Sequence, residues 1–245
     1  MRNIKITIAY DGTRYNGWQR QDNTDNTIQG KIEGLLSRMT GEAVEIHGSG
    51  RTDAGVHSLG QVFHFHTECS MTTEDIMTYM NEYLPMDIGV LKVENTFERF
   101  HSRLNVKQKT YCYHIWNSPI PNVFVRKYSY HIPEKLDIKK MEQAAEYLLG
   151  SHDFKSFCSN KRMKKSTVRR IEAICFEKEG EMLKIRYKGN GFLYNMVRIL
   201  TGTLIEIGKG ERGPEDMKRI LESLDREQAG FTAPAHGLFL ENVEY

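Results

Sequence analysis

The chain has 245 residues, 39% hydrophobic and 27% charged, with 34 Lys and Arg against 32 Asp and Glu. That composition excludes a disordered or fibrous chain, and a net charge of +2 leaves any polyanionic partner to be argued from local clusters. The four cysteines, Cys69, Cys112, Cys158 and Cys175, make no CxxC pair, which argues against a zinc or dithiol redox site. Cys112 and Cys175 fall in alternating apolar segments and read as small core residues. No apolar run approaches membrane-spanning length and the N-terminus lacks the apolar core of a signal peptide, so the chain reads as cytoplasmic.

Hydrophobic periodicity divides the chain into elements. Ile4, Ile6, Ile8 and Tyr10 alternate at period two and predict a strand. The polar stretch 11–25, with Gly12 and Gly17, predicts a long loop of the kind that often carries function. A helix is predicted from Asn26 with Gln29 as its capping partner. Its apolar stripe is Ile28, Ile32, Leu35, Leu36 and Met39, and Gly41 is its stop. Val44 and Ile46 predict a short strand, 61–66 another, 73–83 a helix and 88–93 a strand. A longer strand over 106–116 places Tyr111, Tyr113 and Ile115 on one face. A helix over 137–149 turns Ile138, Met141, Ala145, Leu148 and Leu149 inward, with Gly150 past its end. Strands near 171–177 and 182–188 follow, then a helix over 194–207 and a last strand near 238–243. That last helix has Met196, Ile199, Leu200, Leu204 and Ile207 as its inward stripe. The order lacks the regular alternation of a doubly wound sheet. It predicts an α+β fold with a largely antiparallel sheet, in two similar halves meeting near residue 105.

Residues 48–57, GSGRTDAGVH, are the most informative stretch. Their glycines permit tight turns and close approach of the backbone to a ligand. On spacing alone, the stretch is a glycine turn with an exposed Arg51–Asp53 pair, worth little. Four further blocks accompany it in order. They are Tyr10-Asp11-Gly12-Thr13 with Tyr15, Gly17, Trp18 and Gln19; Lys109-Thr110-Tyr111-Cys112-Tyr113; Gly191-Phe192-Leu193-Tyr194-Asn195-Met196-Val197-Arg198; and Ala233-Pro234-Ala235-His236-Gly237-Leu238-Phe239-Leu240. Together the five blocks resemble the motifs of the bacterial tRNA pseudouridine synthase A family, and they span nearly the whole chain. Ser58 and Ser102 depart from the pattern, each standing where alanine is usual, a small-for-small change.

The resemblance implies the pseudouridine synthase fold: two related halves around a continuous, mostly antiparallel sheet with flanking helices. The halves would be 1–104, with the catalytic loop, and 105–245, packed as one catalytic unit. It implies isomerisation of uridine to pseudouridine at positions 38, 39 and 40 in the anticodon stem-loop of tRNA, by a homodimer, with no cofactor and no metal. Asp53 is the implied nucleophile, and Arg51, Tyr111 and Arg198 are the implied substrate-binding residues. The reaction cuts a C–N bond, turns the base and rejoins it through carbon. A carboxylate suits that chemistry, either adding to the sugar or abstracting a proton. Arg51 can pair with Asp53 and keep it ionised, or fill the space a flipped base leaves. Arg198 lies on the solvated face of its helix or is a buried partner of Asp53, and the resemblance favours the second. Tyr111 would stack on the extruded uracil, an interaction worth about 1–3 kcal/mol, and its hydroxyl could transfer a proton.

Flipping a base costs a few kcal/mol, which contacts to the RNA backbone must offset. Lys161, Arg162, Lys164, Lys165, Arg169 and Arg170 form a basic run suited to phosphates, or a solvated charged loop. Arg14 and Arg20 beside Tyr15 and Trp18 form a basic-aromatic mixture suited to unstacked bases, unless Trp18 packs under the loop. His64 and His66 read as strand histidines rather than metal ligands, and nothing requires His57 to be an acid or base. Two rival readings are a non-catalytic RNA-binding module and a small-nucleotide enzyme using Gly48–Gly50 for phosphate. The second lacks a GxxxxGK[ST] loop.

Overall fold

A computed structural model describes residues 1–160 and 163–245, in two compact units, Met1–Lys107 with Phe239–Tyr245 and Gln108–Leu238. The first unit contains β1 (Arg2–Tyr10), α1 (Ile28–Thr40), β2 (His47–Gly48), β3 (His57–Thr67), α2 (Thr73–Tyr83) and β4 (Ile88–Thr96). β1 lies between β3 and β4 and is antiparallel to both, while β2 adds a short antiparallel pairing to β3. The alternation in β1 buries Ile4, Ile6 and Ile8 completely on one face. They join Ile28, Ile32, Leu35 and Leu36 of α1, Ile76 and Met80 of α2, and Phe63 and Phe65 of β3 in one apolar cluster. Each buried side chain of this size stabilises the fold by about 1.5–3 kcal/mol.

The second unit contains β5 (Gln108–Asn117), β6 (Tyr130–Ile132), α3 (Ile138–Glu146), β7 (Gly150–Asp153), β8 (Val168–Glu179), β9 (Met182–Gly189), α4 (Met196–Gly208) and α5 (Asp216–Ser223). Its strands run antiparallel in the order β5-β9-β8-β7, with β6 parallel to β5. α4 is apolar nearly all round and buried along most of its length, and α3 packs on it. β10 (Leu238–Glu244) returns to the first unit and pairs parallel to β3 through Phe239↔His57 and Leu240↔Ser58. The result is the α+β, mostly antiparallel architecture that the sequence predicts. No helix of the described residues is long and apolar enough to cross a membrane.

Several local expectations change. α1 is capped by Thr27, whose side chain accepts the Gly30 N–H, and not by Asn26 with Gln29. Asn26 instead donates through its amide to the Arg14 carbonyl. Val44 and Ile46 are buried but form no strand. Their N–H groups donate to Ser37 Oγ (3.0 Å) and Glu33 Oε1 (3.1 Å) of α1, so side chains replace a strand partner. β3 starts at His57, four residues before the predicted strand, because its first residues pair with β10. Cys175 is exposed, not a core residue: β8 buries only Ile171, so its alternation marks no core-facing side at Cys175. Cys112 is buried as expected.

Candidate active site

The segment 49–56 joins β2 to β3, and its inward-facing residues are tied down one by one. The Ser49 N–H donates to the Val62 carbonyl (2.7 Å), and Ser49 Oγ donates to Gln61 Oε1 (2.6 Å). Gln61 Nε2 in turn donates to the Gly50 carbonyl (3.0 Å). The Thr52 hydroxyl shares a 2.8 Å hydrogen bond with the Tyr10 hydroxyl, and the Thr52 carbonyl accepts the Trp18 N–H (3.0 Å). Ser49, Thr52 and Gln61 are all buried, whereas Arg51 is exposed and Asp53 half-buried. Beyond Asp53 the chain turns sharply. The Val56 N–H donates to the Asp53 carbonyl (3.1 Å), and Gly55 sits at φ 77°, the backbone that the third residue of a type II turn requires. The carboxylate therefore stands at the tip of a loop whose flanking residues cannot drift.

The N-terminal loop packs beneath this tip. Gly17, at φ 90°, approaches so closely that a Cβ there would lie 2.7 Å from the Thr52 carbonyl oxygen. The Gly12 N–H donates to His57 Nδ1 (3.0 Å), and the buried His57 ring stacks on Phe239. His57 thus serves as an acceptor between strand and loop. Trp18 is 2% exposed and Tyr15 5%, so neither offers a ring face to an unstacked base. The Tyr15 hydroxyl donates to Asp87, which also pairs with Arg14, and Arg20 pairs loosely with Glu33 (3.5 Å). Of the two readings of this stretch, the packed one holds: Trp18 and Tyr15 fill space under the 49–56 segment. Ser58 and Ser102 bring no new chemistry: Ser58 Oγ donates to the Leu240 carbonyl, and Ser102 Oγ to the His47 carbonyl.

In the second unit, Tyr111 lies on β5, nearly buried, with its ring edge-on to Phe192 at 5.2 Å. Its neighbour Tyr113 is fully buried and donates to the Pro234 carbonyl (2.7 Å), so Tyr113 is the structural tyrosine of the pair. Burial holds the Tyr113 phenol protonated well above its usual range. Arg198 lies in the first turn of α4, half-buried. Its Nε donates to the Ala233 carbonyl (2.7 Å) and its Nη1 to Asn195 Oδ1 (2.9 Å), which fixes the guanidinium. Asn195 caps the helix in a left-handed conformation (φ 60°), which asparagine tolerates better than most residues. Of the basic run, Lys164 and Lys165 are exposed, Arg169 donates to the Ser166 and Val168 carbonyls, and Arg170 pairs with Glu172. Lys161 and Arg162 lie outside the described residues.

Sequence reasoning missed Tyr10 and Gln61 as supports of the loop. The available signal was slight: Tyr10 adds a polar tip to the apolar face of β1, at the end nearest the loop. His64 sits buried among other imidazoles, with ring centroids of His101, His47 and His66 at 4.8, 5.1 and 5.8 Å. Burial, followed by repulsion from His101, His47 and His66, lowers its pKa from 6.5 to about 4. Among the described residues no group of His, Cys, Asp or Glu is arranged to hold a metal ion.

A family model described as tRNA pseudouridine synthase matches residues 6–103 and 144–245. A relative from Bacillus sp. (strain KSM-64), tRNA pseudouridine synthase A, is 51% identical over 245 residues, covering all of both chains. Relatives from Bacillus cereus (strain ZK / E33L), tRNA pseudouridine synthase A 2, and Clostridium tetani (strain Massachusetts / E88), tRNA pseudouridine synthase A 1, are each 49% identical over the same full lengths. With matches of that identity over its whole length, the chain belongs to the tRNA pseudouridine synthase A family.

Proposed function

We propose that Asp53 is the nucleophile with which this enzyme isomerises uridine to pseudouridine in tRNA, and that its targets are positions 38, 39 and 40 of the anticodon stem-loop. The isomerisation itself is the activity of the family to which the chain belongs. It breaks the N1–C1′ bond and forms a C5–C1′ bond, while the C5 hydrogen is lost and N1 gains one. Product and substrate are isomers, so the reaction needs no oxidant, reductant or cofactor. The observation that carries the assignment is the half-buried Asp53 at the tip of a loop whose neighbours Thr52 and Val56 are held by hydrogen bonds. A nucleophile must stand within reach of the sugar and stay there while the base turns.

Asp53 and Arg51 lie in the half 1–104, and Tyr111 and Arg198 in the half 105–245. Tyr111, which keeps 9% of its surface exposed while Phe192 packs edge-on against its ring, stacks on the extruded uracil. Arg51, exposed beside the nucleophile, takes the position vacated by the base or pairs with the Asp53 carboxylate. Arg198, preset by Ala233 and Asn195, contributes fixed positive charge to the anionic substrate. Lys164 and Lys165 contact phosphates. The working form is a cytoplasmic homodimer.

The test is to incubate the purified protein with unmodified tRNA and map pseudouridine by position. Product is expected at 38, 39 and 40, and Asp53→Asn should form none while binding tRNA within a few-fold of wild type. Turnover by Asp53→Asn, or no product with any tRNA, overturns the assignment.

A further inference from the structure

We propose that Tyr10 is a positioning residue for Asp53, acting through the Thr52 hydroxyl, on the reading that Asp53 is the nucleophile. Tyr10 closes the apolar face of β1, 4% exposed, and its hydroxyl lies 2.8 Å from Thr52 Oγ1 inside the unit. Thr52 immediately precedes Asp53. Its side chain is held by Tyr10 and its carbonyl by the Trp18 N–H, so both of its polar ends are fixed. On the other side of Asp53 the Val56 N–H fixes the Asp53 carbonyl. The carboxylate thus hangs from a backbone held on both sides, and a displacement of about 1 Å at a reacting group can cost on the order of a hundredfold in rate.

The alternative of a direct catalytic role does not fit the placement. The phenol is enclosed, with Gln61 and Ser58 also at hydrogen-bonding range, and burial raises its pKa so that it stays protonated at any working pH. It has no exposed face for a substrate, and burial keeps its proton on the oxygen. What it offers is one fixed hydroxyl to one residue of the loop. Gln61 does the same for Ser49 and Gly50, farther from Asp53, while Tyr10 holds the residue next to the nucleophile.

Four variants test this: Tyr10→Phe, Thr52→Val, the double variant, and Thr52→Ser. Turnover is measured on unmodified tRNA, with melting temperatures and with Asp53→Asn as a reference. Tyr10→Phe and Thr52→Val should each lower kcat roughly tenfold or more, with KM for tRNA within about twofold of wild type. Thr52→Ser, which keeps the hydroxyl, should recover most of the lost kcat. The double variant should be no slower than the worse single variant, since one hydrogen bond is lost in each case. Wild-type kcat in Tyr10→Phe, or a double variant in which the two losses multiply, overturns the proposal. So does a loss confined to KM and melting temperature, the pattern of a merely structural contact. Failure of this proposal is separable from failure of the catalytic assignment: in the first case Asp53→Asn is inactive while Tyr10→Phe turns over normally, and in the second Asp53→Asn itself turns over.

Discussion

Gly17 occupies a backbone position that no side chain can share. At φ 90° an L-residue is strained, by about 1–2 kcal/mol for the left-handed region. A Cβ would also stand 2.7 Å from the Thr52 carbonyl oxygen and 3.1 Å from the carbonyl carbon of Asp53. Gly17→Ala must therefore push the 49–56 segment outward or unseat the N-terminal loop, and either movement breaks the Trp18 N–H bond to Thr52. The variant is expected to melt a few degrees lower and to lose at least tenfold in kcat. A Gly17→Ala enzyme with wild-type turnover would show that the tip of the loop does not depend on this contact. The same contrast governs what the sequence discloses about single residues. Asp53 can be put forward from sequence because its whole neighbourhood is spelled out in consecutive letters. Tyr10 and Gln61 are not, because their partners are 42 and 12 residues away and meet them only through the pairing of strands.

Among the elements, α2 is where local chemistry speaks most directly. Thr72 and Asp75 form a complete capping box, and Ile76 and Met80 bury its inward stripe. The predicted bounds 73–83 coincide with the observed helix because cap and stripe agree. Thr72→Ala should destabilise the protein by about 1 kcal/mol, read as a lower urea midpoint. Its kcat should be unchanged, since α2 carries no residue of the proposed site. An unchanged urea midpoint would mean that the cap contributes nothing. Other elements hide because tertiary partners decide them. β2 stands three residues beyond Val44 because Glu33 and Ser37 of α1 take the backbone donors of Ile46 and Val44. β6 and β7, of three and four residues, are too short to carry a periodic signal and exist by pairing with β5 and β8. α5 offers only Met217, Ile220 and Leu221 in eight residues, too few to mark a stripe as plain as that of α4.

At the scale of the whole molecule, stability depends on pH through a buried imidazole. His64 titrates near 4 in the folded chain, against 6.5 for an unperturbed histidine, because its ring is buried and three other histidines surround it. His101, also lowered mainly by burial, adds to the same trend. Between those two values the unfolded chain binds a proton that the folded chain refuses. The site's contribution to stability is thus complete above pH 6.5, is lost as pH falls from 6.5 toward 4, and levels off below that. At about 1.4 kcal/mol per pKa unit, its size is on the order of 3 kcal/mol. His64→Asn keeps an acceptor for the Ser102 N–H, which donates to His64 Nδ1 at 3.2 Å, and removes the titration. The chain has two tryptophans, and Trp18 is buried in the same apolar cluster as Phe63, the residue before His64. In a Trp116→Phe background, Trp18 fluorescence reports the unfolding of this unit alone. The urea midpoint of that protein should fall between pH 7 and pH 4.5, and adding His64→Asn should remove most of the fall, whatever its effect on the midpoint at pH 7. Equal falls with and without His64→Asn would assign the acid sensitivity to other groups and leave His64 without a part in it.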